Sequence, residues 1–141
     1  MDLHTRLIKG YHTGDSLETS LVLHALKKAL TKYPQLEGSL HHTDRGCQYT
    51  SHAYQAALSS SDVELSMSAQ GYCYDNAHME SFWATLKCEI GDQSIHEFET
   101  KEDAKQAIFE YIESYYNTRR VHSALDYKTP LQFEQQCSHL N

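Results

Sequence analysis

The spacing of apolar and polar positions divides this chain into short helices and strands. Apolar residues recur every three or four positions over residues 18–33, which predicts an amphipathic helix that Pro34 ends. Residues 63–68 alternate between apolar and polar, which predicts a strand. Residues 40–43 lie between two glycines and predict a short buried strand. Helices and strands that alternate in this way are typical of the α/β class.

Further elements are predicted in the first half of the chain. Residues 3–11 mix apolar and basic side chains and predict another strand, followed by a turn at residues 14–16. Ser51 is a suitable N-cap for a short helix that ends at Leu58.

A helix in the middle of the chain is predicted to begin after Asp75, its expected N-cap. Residues 69–74 predict a loop in front of it. The helix should bury one apolar stripe, which consists of Met79, Phe82, Trp83, Leu86 and Ile90.

Thr100 and Asp103 predict a capping box at the start of a last long helix that ends near Asn117. Three tyrosines on this helix are expected in the core, with base stacking as the alternative; they are Tyr111, Tyr115 and Tyr116. The remainder is polar as far as Leu131 and Phe133. We expect one domain over residues 1–134 and a tail over residues 135–141.

Two carboxylates and a lysine suggest chemistry. Asp44 directly follows the strand at residues 40–43, and ligand sites in α/β sheets favour the carboxyl ends of strands. Glu80 lies at the border of the buried stripe, and Lys87 follows two helical turns later on the same side. Metal-assisted phosphoryl transfer on nucleic acid requires carboxylates that hold divalent cations. A lysine beside them can contact a phosphate.

Ordinary structural roles are open alternatives for each of these residues. The chain has 19 acidic residues, so such pairs also arise by chance. Asp44 precedes Arg45 and Gly46 and could be a turn residue that binds its own backbone. Glu80 and Lys87 could be solvated side chains on a helix surface.

Charge and cysteine usage narrow the class of protein. The net charge of −7 argues against DNA binding, but nine acids fall within residues 80–113 and the rest of the chain is near neutral, so a DNA-binding face could exist away from the acidic helix surface. The four cysteines form no CxxC pair, which predicts reduced thiols and a cytoplasmic protein. No apolar run is long enough for a membrane, and no secretory signal is visible.

A zinc site is a weaker alternative. His41, His42, Cys47 and His52 lie within twelve residues, but structural zinc sites favour paired ligands at short fixed spacings that this group lacks. We expect His41 and His42 to be strand residues, one facing the core and the other a cleft.

Three segments, HTDRGCQYTS, DNAHMESFWATLK and YNTRRVHSALDYKTPLQF, occur in this order. Together they resemble the catalytic half of bacterial insertion-sequence transposases of the two-reading-frame type. This group is related to retroviral integrases and has an Asp-Asp-Glu active site. The resemblance covers about residues 1–133, nearly the whole chain.

The resemblance implies a ribonuclease H-like fold, a mixed sheet with flanking helices. It implies that Asp44 and Glu80 are the second and third catalytic acids and metal ligands, and that Lys87 accompanies the glutamate. Two divalent ions, Mg²⁺ or alternatively Mn²⁺, would support cleavage of DNA strands and strand transfer, that is, DNA integration and transposition. No covalent enzyme intermediate is implied.

The same resemblance implies transposon ends and target DNA as partners, and a homo-oligomer with intact transposase, without a membrane. Candidate DNA contacts are Lys87, Arg45, Asn76, Arg119 and Arg120. For Arg119, Arg120 and His122 the alternative is that they pin the polar tail by salt bridges.

One departure from the family pattern concerns the first catalytic aspartate, which lies on the opening strand of the core. Residues 1–11 match the end of the following strand, and Asp2 matches a different family position. We therefore expect a fragment without the first strand, impaired in catalysis when alone. The alternatives are a non-catalytic relic or interaction module that pairs with a full-length transposase, and a stand-alone ribonuclease H-like nuclease.

Overall fold

The structure of the chain, a computed structural model, describes residues 1–69, 76–91 and 98–138. Its α-helices are α1 (Thr19–Lys32), α2 (His52–Ser59), α3 (Ala77–Gly91), α4 (Lys101–Glu110) and α5 (Pro130–Ser138). Its strands are β1 (Leu40–Thr43) and β2 (Glu64–Met67). Short 3-10 helices cover Pro34–Leu36 and Ser123–Leu125, and a π-helix covers Tyr111–Tyr116.

The chain divides into two compact units. One consists of Lys9–Glu80 and is called the strand unit; the other combines Met1–Ile8 with Ser81–Asn141 and is called the helical unit. We expected a single domain over residues 1–134 and a tail over residues 135–141, and this division stays a prediction. Helix α5 runs across the expected boundary.

In the strand unit, β1 and β2 pair in parallel, with Leu40 opposite Glu64 and Thr43 opposite Met67. Helix α2 lies between them in sequence, as a parallel pairing requires. Both strands were predicted at these positions, and the α/β class is confirmed. An antiparallel member of the sheet, which a mixed sheet needs, is not among the described strands and stays a prediction.

The core of the strand unit is apolar and lies between α1, α2 and the residue before β2. Its buried members are Leu26, Tyr54, Leu58 and Val63. Helix α1 ends before Pro34, and the Ser51 hydroxyl accepts a hydrogen bond from the Tyr54 N–H at 3.3 Å, so the predicted ends of α1 and α2 are confirmed. Gly10 lies so close to α1 that a Cβ would come within 2.5 Å of the Ala25 carbonyl oxygen.

The predicted strand over residues 3–11 is wrong. The Asp2 carboxylate accepts hydrogen bonds from the N–H groups of His4 and Thr5, both at 2.9 Å, and this folds residues 2–5 into a turn. The Ile8 N–H and C=O are both bound by the Asn117 side chain, at 3.0 and 3.2 Å. The backbone groups of Ile8 that a strand partner would use are therefore occupied by a side chain.

In the helical unit, the buried side chains include Phe82, Leu86, Tyr111, Ile112, Tyr116 and Leu125. The rings of Phe82 and Tyr116 meet edge to face with centroids 5.1 Å apart. Two expected core residues are wrong: Trp83 is 50% exposed and Tyr115 is 43% exposed. The predicted stripe wrongly included Trp83. The face of α3 that carries Phe82 and Leu86 is buried, whereas the adjacent Trp83 is half exposed.

The capping box of Thr100 and Asp103 is confirmed, with the Thr100 hydroxyl accepting from the Asp103 N–H at 3.1 Å. Helix α4 continues as a π-helix to Tyr116, so the predicted end near Asn117 is also confirmed. Helix α5 was missed. Its start has a recognisable cap, since Thr129 and Gln132 exchange hydrogen bonds at 3.1 and 3.2 Å around Pro130.

Residues 70–74 of the predicted loop at residues 69–74, and the predicted cap Asp75, lie outside the described residues. The three described cysteines, Cys47, Cys88 and Cys137, are free thiols, as expected. No helix in the described part of the chain is long and apolar enough to cross a membrane.

Candidate active site

Asp44 follows β1 at its carboxyl end, and its side chain is exposed. One carboxylate oxygen, Oδ1, accepts a hydrogen bond from the Gly46 N–H at 2.9 Å. This is the bond of an ordinary turn aspartate, and it also fixes the direction of the carboxylate. Within residues 1–69, 76–91 and 98–138, Oδ2 has no hydrogen bond or ion pair. Asp44 therefore keeps one oxygen available to a ligand.

Arg45 connects the two strands. Its Nε donates to the Ser68 carbonyl at 2.8 Å, directly after β2. Ser68 also bonds His42 Nε2 through its hydroxyl at 3.0 Å, and the other ring nitrogen of His42 bonds the Ser66 hydroxyl at 2.9 Å. Because these bonds tie β1 to β2 beside Asp44, they stiffen the backbone that carries the carboxylate. The contact of Arg45 with DNA stays a prediction.

His41 faces the opposite side of β1. Its Nε2 lies 2.8 Å from the Tyr54 hydroxyl, at the apolar core of the strand unit. Burial lowers the pKa of His41 to about 4, so the ring is neutral at neutral pH. The expectation that one histidine of the pair faces the core is thus confirmed for His41.

Glu80 lies in the first turn of α3 and belongs, like Asp44, to the strand unit. Its side chain is exposed, and no hydrogen bond or ion pair engages it in the described ranges. Glu80 is therefore a second carboxylate that the described structure leaves available.

Lys87 and Asn76 extend along the same helix. Lys87 is exposed and lies seven positions after Glu80, about 10 Å along the axis and on the same side. Asn76 directly precedes α3. Their predicted contacts with DNA stay predictions, but the spacing of Glu80 and Lys87 on one face of α3 is as expected.

The other end of α3 holds a carboxylate of a different kind. Glu89 accepts a hydrogen bond from the Tyr111 hydroxyl at 2.8 Å and two from Arg120 Nε at 2.9 and 3.1 Å. Although burial lowers it, the pKa of Arg120 is raised by the bond to Glu89 and by its charge. Burial and the same carboxylate raise the pKa of Tyr111. We call Glu89, Tyr111, Arg120 and His122 the Glu89 cluster.

The basic residues near the C-terminus were expected either to contact DNA or to form salt bridges within the chain. Arg120 forms a salt bridge, to Glu89. Its guanidinium also lies 3.4 Å from both ring nitrogens of His122. Arg119 is exposed, and its guanidinium has no hydrogen bond or ion pair with any described residue. The structure thus separates these neighbours into one side chain with an internal partner and one that faces solvent.

The segment after the π-helix is a closed loop that the sequence did not predict. The Leu131 N–H donates to the Asn117 carbonyl at 3.0 Å and so closes residues 118–130, here called the C-terminal loop. Asp126 and Tyr127 within it both have left-handed backbones, with φ of 53° and 57°. Left-handed conformations cost about 1–2 kcal/mol for a residue with a Cβ, and aspartate tolerates them better than tyrosine.

The carboxylate oxygens of Asp44 and Glu80 agree in part with the ligands that a divalent cation needs. Oxygen ligands from carboxylates are what Mg²⁺ prefers, and Asp44 and Glu80 are exposed carboxylates with available oxygens. Among the described residues, no three His, Cys, Asp or Glu side chains are grouped so as to hold a metal ion. These two carboxylates are thus suited to be part of a ligand set.

Comparison with known proteins identifies the family. Two models of the integrase core domain match the chain, one over residues 1–73, which is slightly more than half, and one over residues 61–130. Asp44 falls in the first match and Glu80 in the second.

Transposases of insertion elements are among the similar proteins. The transposase for insertion sequence element IS904 of Lactococcus lactis is 45% identical over 134 residues, which are 95% of this chain and 52% of that protein. Transposase InsF for insertion sequence IS3A of Escherichia coli is 40% identical over 136 residues, which are 95% of this chain and 46% of that protein. An uncharacterized 31 kDa protein of insertion element IS600 from Shigella sonnei is 40% identical over 95% of this chain and 48% of its own length.

The chain spans about half the length of these relatives. The two family models together cover residues 1–130, and the relatives match 95% of the chain, so the resemblance of the three sequence segments is confirmed. This chain belongs to the integrase core domain family, and within it is similar to the transposases of IS3-type insertion elements.

Proposed function

We propose that this chain supplies the second and third catalytic acids, Asp44 and Glu80, of a DNA transposase that cleaves DNA strands and transfers them. The integrase core domain implies a ribonuclease H-like fold, in which such acids hold divalent metal ions. Mg²⁺ is the proposed ion, and Mn²⁺ would substitute for it. When bound, it would stabilise negative charge on the oxygens of the reacting phosphate.

This proposal rests on the exposure of the two carboxylates and on the oxygens that have no partner among the described residues. Both are exposed, and each has at least one oxygen without a partner in the described structure. Asp44 is moreover held in direction by the Gly46 N–H, on a strand end that Arg45 ties to Ser68. In the proposed site, a bound cation would neutralise the negative charges of both carboxylates.

The basic residues have a separate role in this proposal. Lys87, Arg45, Asn76 and Arg119 contact the DNA, and of these Lys87 and Arg119 present unengaged charges at the described surface. Arg120 contributes through the Glu89 cluster, by holding the C-terminal loop in position, and its phosphate contact is the weaker alternative. Phosphate contacts of this type position DNA without reading its sequence.

The 141-residue chain by itself is proposed to have little strand-transfer activity. The family pattern has three acids, and the segments that resemble it in this chain match the second and third. Removal of one member of a catalytic unit forfeits most of the rate. The active form in this proposal is a homo-oligomer with intact transposase on transposon ends and target DNA.

A chimera tests the function. This chain would replace the aligned half of the IS904 transposase, which it matches over 134 residues at 45% identity. With Mg²⁺ and oligonucleotides that carry the element's ends, the chimera should cleave and join strands. Asp44→Asn should abolish both steps, whereas Asp62→Asn, at another exposed acid of the strand unit, should not. Activity that survives Asp44→Asn would contradict the proposal.

A further inference from the structure

We propose that Tyr127 is a base-stacking residue, which holds an unpaired nucleotide of the DNA against the C-terminal loop. This inference rests on the proposed function, because it assigns one more contact to the same DNA. It concerns a side chain on the C-terminal loop rather than the carboxylates.

The backbone of Tyr127 is the first observation. Asp126 and Tyr127 are consecutive left-handed residues, with φ of 53° and 57°. An aspartate is tolerated there because its short polar side chain can bond locally, but an aromatic residue is an outlier. Glycine or asparagine would make the same turn with less strain. The strained conformation thus accompanies a side chain that the turn itself does not need.

Packing does not account for the tyrosine. Its side chain is 74% exposed, and no hydrogen bond, ion pair or ring contact joins it to any residue that the structure describes. The exposed Trp83, by contrast, lies against Phe82 with ring centroids 5.2 Å apart. Strain without an internal contact is a feature of residues that are held out for a ligand.

The loop beneath Tyr127 is held by backbone hydrogen bonds. The Tyr127 N–H donates to the His122 carbonyl at 3.0 Å, and the His122 N–H donates to the Lys128 carbonyl at 3.1 Å. Leu125 anchors the same turn in the core at 2% exposure. Because the backbone is fixed before any ligand binds, little conformational entropy is lost when the ring stacks on a partner.

Charge identifies the chemistry of that partner. The C-terminal loop contains Arg119, Arg120 and Lys128 against Asp126, in a chain whose net charge is −7. Arg119 has no internal partner in the described structure, and Lys128 Nζ lies 6.0 Å from the Phe133 ring centroid. An exposed aromatic ring on a loop that also carries two cations without an acidic partner among the described residues, Arg119 and Lys128, fits a ligand that has both a π-face and phosphates.

Single-stranded DNA meets these requirements better than duplex DNA. Bases inside a duplex are stacked on each other and present no free face, whereas a frayed or cleaved end presents one. Stacking on an aromatic side chain tolerates any base, so Tyr127 would hold a strand end without reading its sequence.

The test uses the complete 141-residue chain and fluorescein-labelled DNA, with fluorescence anisotropy as the readout. Single strands and blunt duplexes of the same sequence are compared. Tyr127→Asn should weaken single-strand binding by between about fivefold and 150-fold and duplex binding by less than about twofold. Tyr127→Phe keeps the ring and should bind as the unchanged chain does. Thermal melting should show that Tyr127→Asn folds and is at least as stable, because the strain is relieved.

The matched control is Phe109→Ala. Phe109 is 49% exposed, but it lies on the acidic helix α4, and its removal should leave both affinities unchanged. Arg119→Ala should weaken single-strand and duplex binding alike, since a phosphate contact serves both.

Several results would overturn the inference. They are an unchanged single-strand affinity in Tyr127→Asn, an equal loss on single strands and duplexes, and a change in self-association in place of DNA binding. Absence of single-strand binding by the unchanged chain would overturn it as well. None of these depends on Asp44, so the cleavage test with the chimera separates a failure of this inference from a failure of the proposed function.

Discussion

Helix α3 has a glutamate near each end, and the two differ in almost every respect. Glu80, in the first turn, is exposed and has no partner in the described structure. Glu89, near the other end, has 31% of its side chain exposed and accepts hydrogen bonds from Tyr111 and Arg120. An acid whose oxygens are saturated by donors holds structure together. An acid that is kept unsaturated is available to a cation, and this is the difference on which the proposed function depends.

Substitution of each glutamate in the chimera should give the largest contrast. Glu80→Gln removes one charge from the proposed metal site, and strand transfer should fall by at least about a thousandfold, while the melting temperature stays the same. Glu89→Gln should retain most of the activity below its melting temperature, because Glu89 has no role in the chemistry. Equal loss of activity in both variants would remove the distinction between the two ends of α3.

Stability of the 141-residue chain should show the opposite ranking. Glu89→Ala leaves Arg120 and Tyr111 without their acceptor, and the free energy of unfolding should fall by about 2 kcal/mol. Glu80→Ala should change it by no more than about 0.5 kcal/mol, because no contact is lost. Urea unfolding, monitored by circular dichroism, measures both. A destabilisation by Glu80→Ala as large as that by Glu89→Ala would contradict the comparison.

Acidification should weaken the Glu89 cluster. The pKa of His122 is lowered from 6.5 to about 4, by burial first and then by Arg120 and Arg6. The unfolded chain therefore binds the proton at a higher pH than the folded chain does. The His122 contribution to stability is complete above pH 6.5 and is lost as the pH falls towards 4.

The size of this loss should be on the order of 1 kcal/mol, since the ring is only partly buried. Urea unfolding at several pH values, with His122→Asn as the comparison, isolates it from the other histidines. The variant should have a flatter pH dependence. If the two proteins lose stability in parallel between pH 6.5 and 4, the assignment to His122 is wrong.

Removal of one hydroxyl should give a similarly small effect. Tyr111→Phe deletes the donor to Glu89 but leaves Arg120 in place, and it should destabilise the chain by about 1 kcal/mol. Tyr115→Phe, at a neighbouring and 43% exposed tyrosine, is the matched control and should have no measurable effect. Identical unfolding curves for Tyr111→Phe and the unchanged chain would show that the hydroxyl bond does not contribute.

The sequence predicted the parts of this molecule that depend on local patterns. Strands β1 and β2, the cap of α2 at Ser51 and the capping box at Thr100 are each determined by a few adjacent residues. The position of Asp44 followed from the strand before it. The importance of Glu80 came from the family resemblance, because nothing local distinguishes it from Glu89 on the same helix.

What could not be predicted depends on contacts between distant residues. Arg120 binds Glu89 across 31 positions, and Asn117 binds Ile8 across 109. The second pair occupies the backbone that the pattern of residues 3–11 assigned to a strand. The exposed strained Tyr127 has no sequence signal either, because tyrosine in a left-handed turn runs against the usual preference.

Binding of Mn²⁺ to the 141-residue chain tests the central claim most directly, because it requires no catalysis. Electron paramagnetic resonance of free Mn²⁺ during titration gives the affinity of the unchanged chain and of three variants. Asp44→Asn and Glu80→Gln should each weaken binding by at least about tenfold, as loss of a carboxylate ligand would, and Glu89→Gln should leave it unchanged. Mn²⁺ binding that is unaffected by Asp44→Asn and Glu80→Gln, or that is lost equally with Glu89→Gln, would contradict the assignment of these two acids.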